Sequence, residues 1–300
     1  MKENIKYVLK IILVTVIFSI GIIIPTMIIP VSSEIVSRII QDMQNNTFGL
    51  MLLVSLLGAV SLFYIVKKSK YSGIKLMLAL GISFWGIEYF MAQIETFFFR
   101  DAFTFITNQE IINMLLRGLI TTSIVVVFAV IIFNKRKTEM ITNKNNIFKK
   151  IEMKSWIKKA LLFAVLYIII YQSFGYYVAW QFEAVRMFYS STPEKLSFIN
   201  QFISTISENP SFLPYHFVRG LLWVIFSIPI ILIMAGNKKN TMISLILLFS
   251  YHGFQIIMAQ GIFPTDVLIG HTIETTISAS IYGGLIGYMF YIPKRSVKNE

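Results

Sequence analysis

Long, uninterrupted apolar stretches recur along this chain and determine the architecture that it predicts. About 20 mainly apolar residues are needed to cross the roughly 30 Å hydrocarbon core of a bilayer as an α-helix. The pattern predicts an all-α polytopic membrane helix bundle, a single membrane domain over 1–300 with about eight transmembrane helices. We place these helices near 8–30, 49–66, 74–96, 114–133, 158–180, 216–236, 241–262 and 267–291.

Composition excludes a soluble domain. Hydrophobic residues make up 56% of the chain and charged residues 14%, whereas a soluble domain contains roughly 25% charged residues. The chain has no cysteine, so disulfides and thiolate metal sites are excluded. The first apolar run is longer than the core of a signal peptide and has no Ala-x-Ala cleavage site, so we predict an uncleaved first helix.

The distribution of the net charge of +12 predicts the orientation. Basic residues concentrate in every second connection, above all in the loop 134–157, whereas the loop 181–215 contains few. Because cytoplasmic loops carry an excess of Lys and Arg, we predict cytoplasmic termini, a cytoplasmic basic loop 134–157 and an outer loop 181–215. The basic surface then faces anionic lipid, so we expect the lipid bilayer as a partner and no nucleic acid. A composition rich in Ile, Lys, Asn and Phe indicates a bacterial plasma membrane.

Four segments outside the predicted transmembrane helices have patterns that indicate ordered structure. Apolar residues at helical spacing predict an outer interfacial helix over 34–46 and a helix over 193–207 that begins near Pro193. A basic amphipathic helix is predicted over 147–159, with Trp156 as an interface anchor. The segment 97–110 is apolar, short and interrupted.

Three predicted helical hairpins share features that suggest an internal repeat. The outward helices end near Gln93, Gln181 and Gln260, and the return helices begin with Arg117, Arg219 and His271. Hairpins repeated in the same sense would be related by an axis along the membrane normal. The alternative is that similar depth in the membrane selects similar residues.

Polar and ionisable residues at membrane depth are the candidate functional groups. A charged side chain in hydrocarbon costs about 2.5–3.5 kcal/mol, so each requires a partner, water or a function. Because these residues concentrate from the predicted midplane outward, they predict an outward-facing polar cavity lined by the third to eighth helices. The candidate ligand-binding residues are Glu88, Gln93, Glu95, Arg117, Gln181, Glu183, Arg186, His216, Arg219, His252, Gln260, His271 and Glu274.

For several of these candidates we predict specific ion pairs, and for several a purely structural role is the alternative. We expect Arg219 to pair with Glu274, and Arg117 to pair with Glu88 or Glu95. An arginine in a first helical turn can instead extend to the headgroups. Glu274 can serve only to hold helices together, and His252 can be a neutral, hydrogen-bonded core residue. Glu88 is the candidate proton acceptor, because it is deep and has no arginine near it in sequence.

A metal site is the alternative that the histidines suggest. His271 and Glu274 are three residues apart on one helix face, as metal ligands can be. The stretch superficially resembles intramembrane metalloproteases of the Abi/CAAX-processing type. That family requires a Glu-Glu-x-x-x-Arg motif, whereas Glu183-x-x-Arg186 lacks the paired glutamate and has a different spacing. We predict no catalytic residue, no metal and no cofactor.

One resemblance covers residues 170–290. Its motifs are Tyr177-Val178-Ala179-Trp180-Gln181, Arg219-Gly220-x-x-Trp223 and Pro264-x-x-Val267-x-x-x-His271-x-x-Glu274-x-x-x-Ser278. With these the chain resembles a family of uncharacterised multi-pass bacterial membrane proteins. It departs from the family pattern at Leu268, where the family has arginine, and at Ala279, where it has asparagine. The resemblance implies a shared outer-face site and no particular ligand.

The sequence therefore supports three classes of function. The favoured class is small-molecule or ion transport, or ligand sensing, with a small-molecule or ion ligand in the polar cavity. The alternatives are an intramembrane metal-dependent hydrolase and a structural or immunity-type membrane protein. No protein partner is identified.

Overall fold

The chain is an all-α protein, as predicted. The computed structural model describes residues 2–42, 47–133, 135 and 152–293, and these ranges contain α-helices and no β-strand. Within them, seven helices are long and apolar enough to cross a membrane. The protein is therefore a multi-pass membrane protein by the length and composition of its helices.

The helices have the following bounds. The long ones are α1 (Lys2–Ile28), α3 (Thr47–Lys68), α4 (Gly73–Trp85), α6 (Asn108–Ile132), α7 (Met153–Tyr177), α10 (Phe212–Ile233), α11 (Lys238–Gln255) and α12 (Thr265–Met289). A π-helical turn (Gly86–Phe90) joins α4 to α5 (Met91–Phe98), so that 73–98 is one continuous membrane-length element. The short helices are α2 (Ser33–Asp42), α8 (Glu183–Ser190) and α9 (Phe198–Glu208).

Neighbouring long helices form a closed ring. Each helix packs against two others in the order α1, α3, α11, α12, α7, α10, α4 and α6. Large aromatic side chains fill the interior, with Phe18, Phe84, Phe249 and Tyr282 almost completely buried. The ring explains why polar residues on five different helices can meet in one place.

The eighth predicted span corresponds to α12, which differs from the other long helices. It is 25 residues long, yet it is not among the seven helices that satisfy both length and apolarity. Its sequence is rich in glycine, serine and threonine and includes His271 and Glu274. Because α12 packs between α11 and α7, the ring closes only with this polar helix in place.

Glycines permit the closest helix contacts. A methyl group at Gly253 of α11 would overlap the backbone of Thr276 on α12, and one at Gly287 would lie 2.7 Å from Cα of Met242. At the α7–α10 contact, a methyl group at Gly220 would lie 2.7 Å from Cα of Ala164. Small residues let backbones approach in this way and increase van der Waals contact between membrane helices.

The three predicted hairpins each pack as neighbours in the ring, through α4 and α6, α7 and α10, and α11 and α12. They differ in detail. The first contains the π-helical turn, the second includes α8 and α9 in its connection, and the third has the close glycine contacts. The repeat itself stays a prediction.

Two predicted segments outside the spans fall partly beyond the described residues. Helix α2 begins one residue before the predicted 34–46 and covers it to Asp42, and residues 43–46 are outside the described ranges. Of the predicted 147–159, residues 147–151 are outside them, and α7 begins at Met153. The ring of Trp156 packs 5.3 Å from that of Phe290.

The predicted start of a helix near Pro193 is wrong. Helix α9 begins at Phe198, where the Ser197 hydroxyl accepts a hydrogen bond from the N–H of Asn200 (3.4 Å) and caps the helix. The carbonyl of Pro193 instead accepts a hydrogen bond from Nε of Arg186 (2.7 Å). Tertiary contact with α8 thus holds this stretch in a non-helical conformation.

Candidate functional site

A small cavity lined by both polar and apolar side chains lies inside the ring of helices. Its volume is about 30 Å³, and side chains of α5, α7, α10, α11 and α12 line it. A cavity of roughly 10–15 Å³ on this scale already holds a water molecule. The cavity therefore has room for a monatomic ion or one to two waters. Its polar and aromatic lining residues are Glu95, Tyr167, Tyr171, Arg219, Trp223, Phe249, Glu274, Thr275, Ser278 and Tyr282.

A bidentate ion pair forms one wall of this cavity. Nη1 of Arg219 donates to Oε1 of Glu95 (2.8 Å), and Nη2 donates to Oε2 of the same carboxylate. The Arg219 side chain is 3% exposed, whereas that of Glu95 is 34% exposed. The guanidinium carbon also lies 5.7 Å and 5.8 Å from the ring centroids of Tyr167 and Tyr171. Both Nη atoms of the buried cation are thus hydrogen-bonded, its Nε has no hydrogen-bond partner, and Glu95 reaches the surface of the bundle.

Glu274 also lines the cavity and has no ion-pair partner in the described part of the chain. Its two carboxylate oxygens accept hydrogen bonds from the hydroxyls of Thr275 (2.9 Å) and Ser278 (3.0 Å). The predicted pair of Arg219 with Glu274 is therefore wrong. Helix α10 packs against α4 and α5 as well as α7, and this packing places the Arg219 guanidinium within hydrogen-bonding distance of Glu95 on α5.

Arg117 also has a different partner from the predicted one. Its Nη2 donates to Glu110, which lies two turns earlier on the same helix face, and its Nη1 donates to the carbonyls of Ile29 (3.3 Å) and Pro30 (3.2 Å). The predicted pairing with Glu88 or Glu95 is wrong, because a carboxylate on the same helix is nearer. This cluster joins α6 to the end of α1 and does not line the cavity.

The deepest candidates, Glu88 and His252, lie together in the ring. His252 Nδ1 is 3.8 Å from Oε2 of Glu88, and the same carboxylate oxygen accepts from Nε2 of Gln255 (2.9 Å). Both residues are almost completely buried. The rings of His252 and Trp223 are 4.9 Å apart, so this pair is one side chain away from the cavity.

The other histidines lie among aromatic rings. His216 is fully buried, with its ring 3.9 Å from that of Tyr171 and 4.3 Å from that of Phe212, and neither ring nitrogen has a hydrogen-bond partner. His271 packs beside Tyr189 and Phe263, at 5.5 Å and 5.4 Å between ring centroids. Neither histidine lines the cavity.

The remaining candidates belong mainly to the connections. Arg186 is buried, and its guanidinium donates to the carbonyls of Trp180 (2.7 Å), Gln181 (3.2 Å) and Pro193, so it organises the loop after α7. Burial also raises the pKa of the nearby Tyr189 phenol, which keeps it neutral. Glu183 is exposed in the first turn of α8.

The three glutamines that suggested a repeat make unlike contacts. Gln181 accepts from Lys195 (2.7 Å), Gln260 accepts from Thr47 (3.0 Å), and the side-chain oxygen of Gln93 is buried without a hydrogen-bond partner. None of the three lines the cavity. Similar sequence positions therefore do not produce a common polar contact.

The metal-dependent alternative finds no ligand set in the residues that the structure describes. No group of three or more His, Asp and Glu side chains in these ranges could hold a metal ion. His271 contacts aromatic rings, and Glu274 is hydrogen-bonded to the hydroxyls of its own helix.

Comparison with known proteins adds no assignment. No protein-family model, curated protein or solved structure matches this chain.

Proposed function

We propose that this protein is a membrane carrier that binds a small monovalent cation in the cavity between Glu95, Arg219 and Glu274. The observation that supports this function most strongly is a buried carboxyl group, that of Glu274, on the wall of a polar cavity of about 30 Å³. A carboxylate at this depth is costly unless a cation or proton compensates it.

The charge balance of the cavity favours a cation. Glu95 neutralises Arg219 through two hydrogen bonds. Glu274 accepts two hydroxyl hydrogen bonds, which partly offset the cost of burying its ionised form. With Glu274 ionised, the cluster carries one net negative charge. The aromatic faces of Tyr167 and Trp223 line the same space and attract cations through their ring quadrupoles.

The size of the cavity restricts the ligand. Drug-sized organic ligands occupy pockets of about 300–1,000 Å³, whereas this cavity measures about 30 Å³. A sodium, potassium or ammonium ion fits that volume, and a larger organic cation such as choline does not. The ion branch of the predicted function is therefore favoured over the small-molecule branch.

The exposed part of Glu95 provides a route into the site. Glu95 lies on α5, near the same end of the ring as α8 and α9. The basic side chains of Lys67, Lys135 and Lys159 lie at the opposite end, beside the termini of the long helices. We propose that this basic end is cytoplasmic in a bacterial plasma membrane and that the cavity opens to the outside.

Cation binding can be tested by thermal unfolding of the detergent-purified protein. Sodium, potassium and ammonium chloride are compared with choline chloride at equal ionic strength. We expect at least one small cation to raise Tm relative to choline, because a ligand at 100 times its Kd adds about 2.7 kcal/mol of stability. Glu274→Gln removes the carboxylate charge and is expected to abolish this rise.

The matched control is Asp266→Asn, which removes an exposed carboxylate from the first turn of α12 and is expected to keep the rise. A small cation that raises Tm equally in wild type and Glu274→Gln would contradict the proposed site. No rise with any of the three cations would instead favour the structural alternative.

A further inference from the structure

The π-helical turn at Gly86–Phe90 is held by side chains from another helix. The N–H of Met91 donates to the carbonyl of Gly86, five residues earlier, and this wider spacing leaves nearby carbonyls without a helical donor. Nε2 of Gln255 donates to the backbone carbonyl of Glu88 (2.8 Å), and the ring of His252 lies beside the same turn, with Nδ1 3.8 Å from Oε2 of Glu88. His252 and Gln255 are three residues apart and share one face of α11.

This arrangement places the Glu88 carboxyl group where its charge has no compensation. The side chain is fully buried, Oε2 accepts from Gln255, and Oε1 has no hydrogen-bond partner. Among the described residues, Glu88 makes no ion pair with lysine or arginine. His252 lies beside it, and Nδ1 of that ring also has no hydrogen-bond partner.

The distance between Glu88 and His252 indicates where a proton resides. A charge-assisted N–H···O bond between an imidazolium and a carboxylate measures about 2.7–2.9 Å. The 3.8 Å between Nδ1 and Oε2 is much longer. A protonated, neutral Glu88 beside a neutral His252 therefore suits this geometry better than an ion pair, and it avoids a bare carboxylate in the core of the bundle.

The other ionisable groups around this position lie on three elements. Tyr89 is adjacent on the π-helical turn, and Tyr251 and His252 come from α11. On α10 the guanidinium of Arg219 acts on His252 electrostatically. Helix α6 presents Gly118 and Thr121 to Tyr89, and neither titrates.

We propose that Glu88, with His252, forms a proton-binding site in the bundle that is distinct from the cation cavity. The coupling between the two sites rests on the proposed function, whereas the proton site does not. Trp223 lines the cavity and contacts His252, so a cation in the cavity lies one side chain from the proton. Opposite charges attract strongly at this low dielectric, so a cation in the cavity stabilises the ionised carboxylate of Glu88 relative to its protonated form. Cation entry therefore favours release of the proton to water, which is the exchange that an antiporter requires.

Infrared spectroscopy tests the proton site directly. We expect wild-type protein to show a protonated-carboxyl stretching band that shifts in D₂O and persists at a pH where exposed glutamates are ionised. The band is expected to be absent in Glu88→Gln and present in the matched control Glu208→Gln, which alters an exposed residue of α9. An unchanged band in folded Glu88→Gln would overturn the proposal.

A second measurement distinguishes loss of the proton site from misfolding of the variant, and it separates the proton-site proposal from the cation-carrier proposal. Proton release on addition of the cation is followed with a pH dye in weak buffer. We expect the cation to release protons from the wild-type protein. We expect Glu88→Gln to release no protons and to keep the cation-dependent rise in Tm. Glu274→Gln is expected to keep the Glu88 band while losing both cation responses. A Glu88 band without any cation response in wild type would contradict the carrier and leave the proton site intact. Equal proton release from Glu88→Gln and wild type would contradict the coupling.

Discussion

Replacing Glu95 by alanine is expected to destabilise the protein by about 3–5 kcal/mol, because it leaves the buried guanidinium of Arg219 without its counter-charge. The Arg219 side chain is only 3% exposed, and both oxygens of Glu95 accept hydrogen bonds from it, so the variant loses the counter-charge and two hydrogen bonds together. Unfolding of the purified variant by heat or denaturant measures the loss. The matched control is Glu34→Ala, which breaks the exposed pair with Arg38 and is expected to cost less than about 1 kcal/mol.

The two halves of this ion pair are expected to differ. Arg219→Met keeps the aliphatic part of the side chain and leaves Glu95, which is 34% exposed, free to be hydrated. We expect this variant to cost about 1–3 kcal/mol, less than Glu95→Ala. The double variant is expected to recover part of the loss, because no buried charge remains unpaired. A larger cost for Arg219→Met than for Glu95→Ala would contradict this description of the pair.

Gly253→Ala is expected to destabilise the protein by about 3 kcal/mol or more. The added methyl group would clash with backbone atoms, and a change of side-chain rotamer cannot relieve such a clash. The added methyl group would overlap the backbone N and Cα of Thr276, so α11 and α12 would have to separate along the seam that closes the ring. The measurement is the free energy of unfolding of the purified variant.

Gly175→Ala is the matched control for this substitution. Gly175 also lies in a long helix, α7, but a methyl group there would meet no atom within 4 Å. Because alanine is the better helix former by about 1 kcal/mol, we expect this variant to be neutral or more stable. Equal effects of the two substitutions would show that α11 and α12 do not pack as closely as described.

The helical architecture could be predicted from the sequence because bilayer thickness fixes helix length. A run such as 49–66 is long and apolar enough that few alternatives exist, and α3 occupies it. The end of α8 and the start of α9 could not be predicted in the same way. There, Ser191 has a left-handed backbone conformation (φ 55°), and the guanidinium of Arg186 donates a hydrogen bond to the Pro193 carbonyl. These two groups come together only when the loop is folded.

In the candidate site, too, the residues could be identified from the local sequence, whereas their contacts depend on tertiary packing. Glu95, Arg219 and Glu274 could be identified from the sequence, because charged residues at membrane depth are conspicuous. Their pairing could not, because it depends on which helices are neighbours in the ring. Glu110 was missed although it lies seven residues before Arg117, a spacing of two turns on one face that provides a recognisable signal. Tyr167 and Tyr171 were missed because aromatic residues are common in membrane helices, and only the packing of α7 turns them toward the cavity.

In the proposed function, a cation crosses the membrane through the cavity beside Glu274. The most direct test is uptake of radioactive sodium or rubidium by proteoliposomes that contain the purified protein, with wild type and Glu274→Gln reconstituted at equal density. We predict uptake above that of protein-free vesicles for wild type, and uptake reduced to the protein-free level for Glu274→Gln, with Asp266→Asn like wild type. Uptake by Glu274→Gln equal to that of wild type, or no uptake by well-folded wild type, would contradict the account.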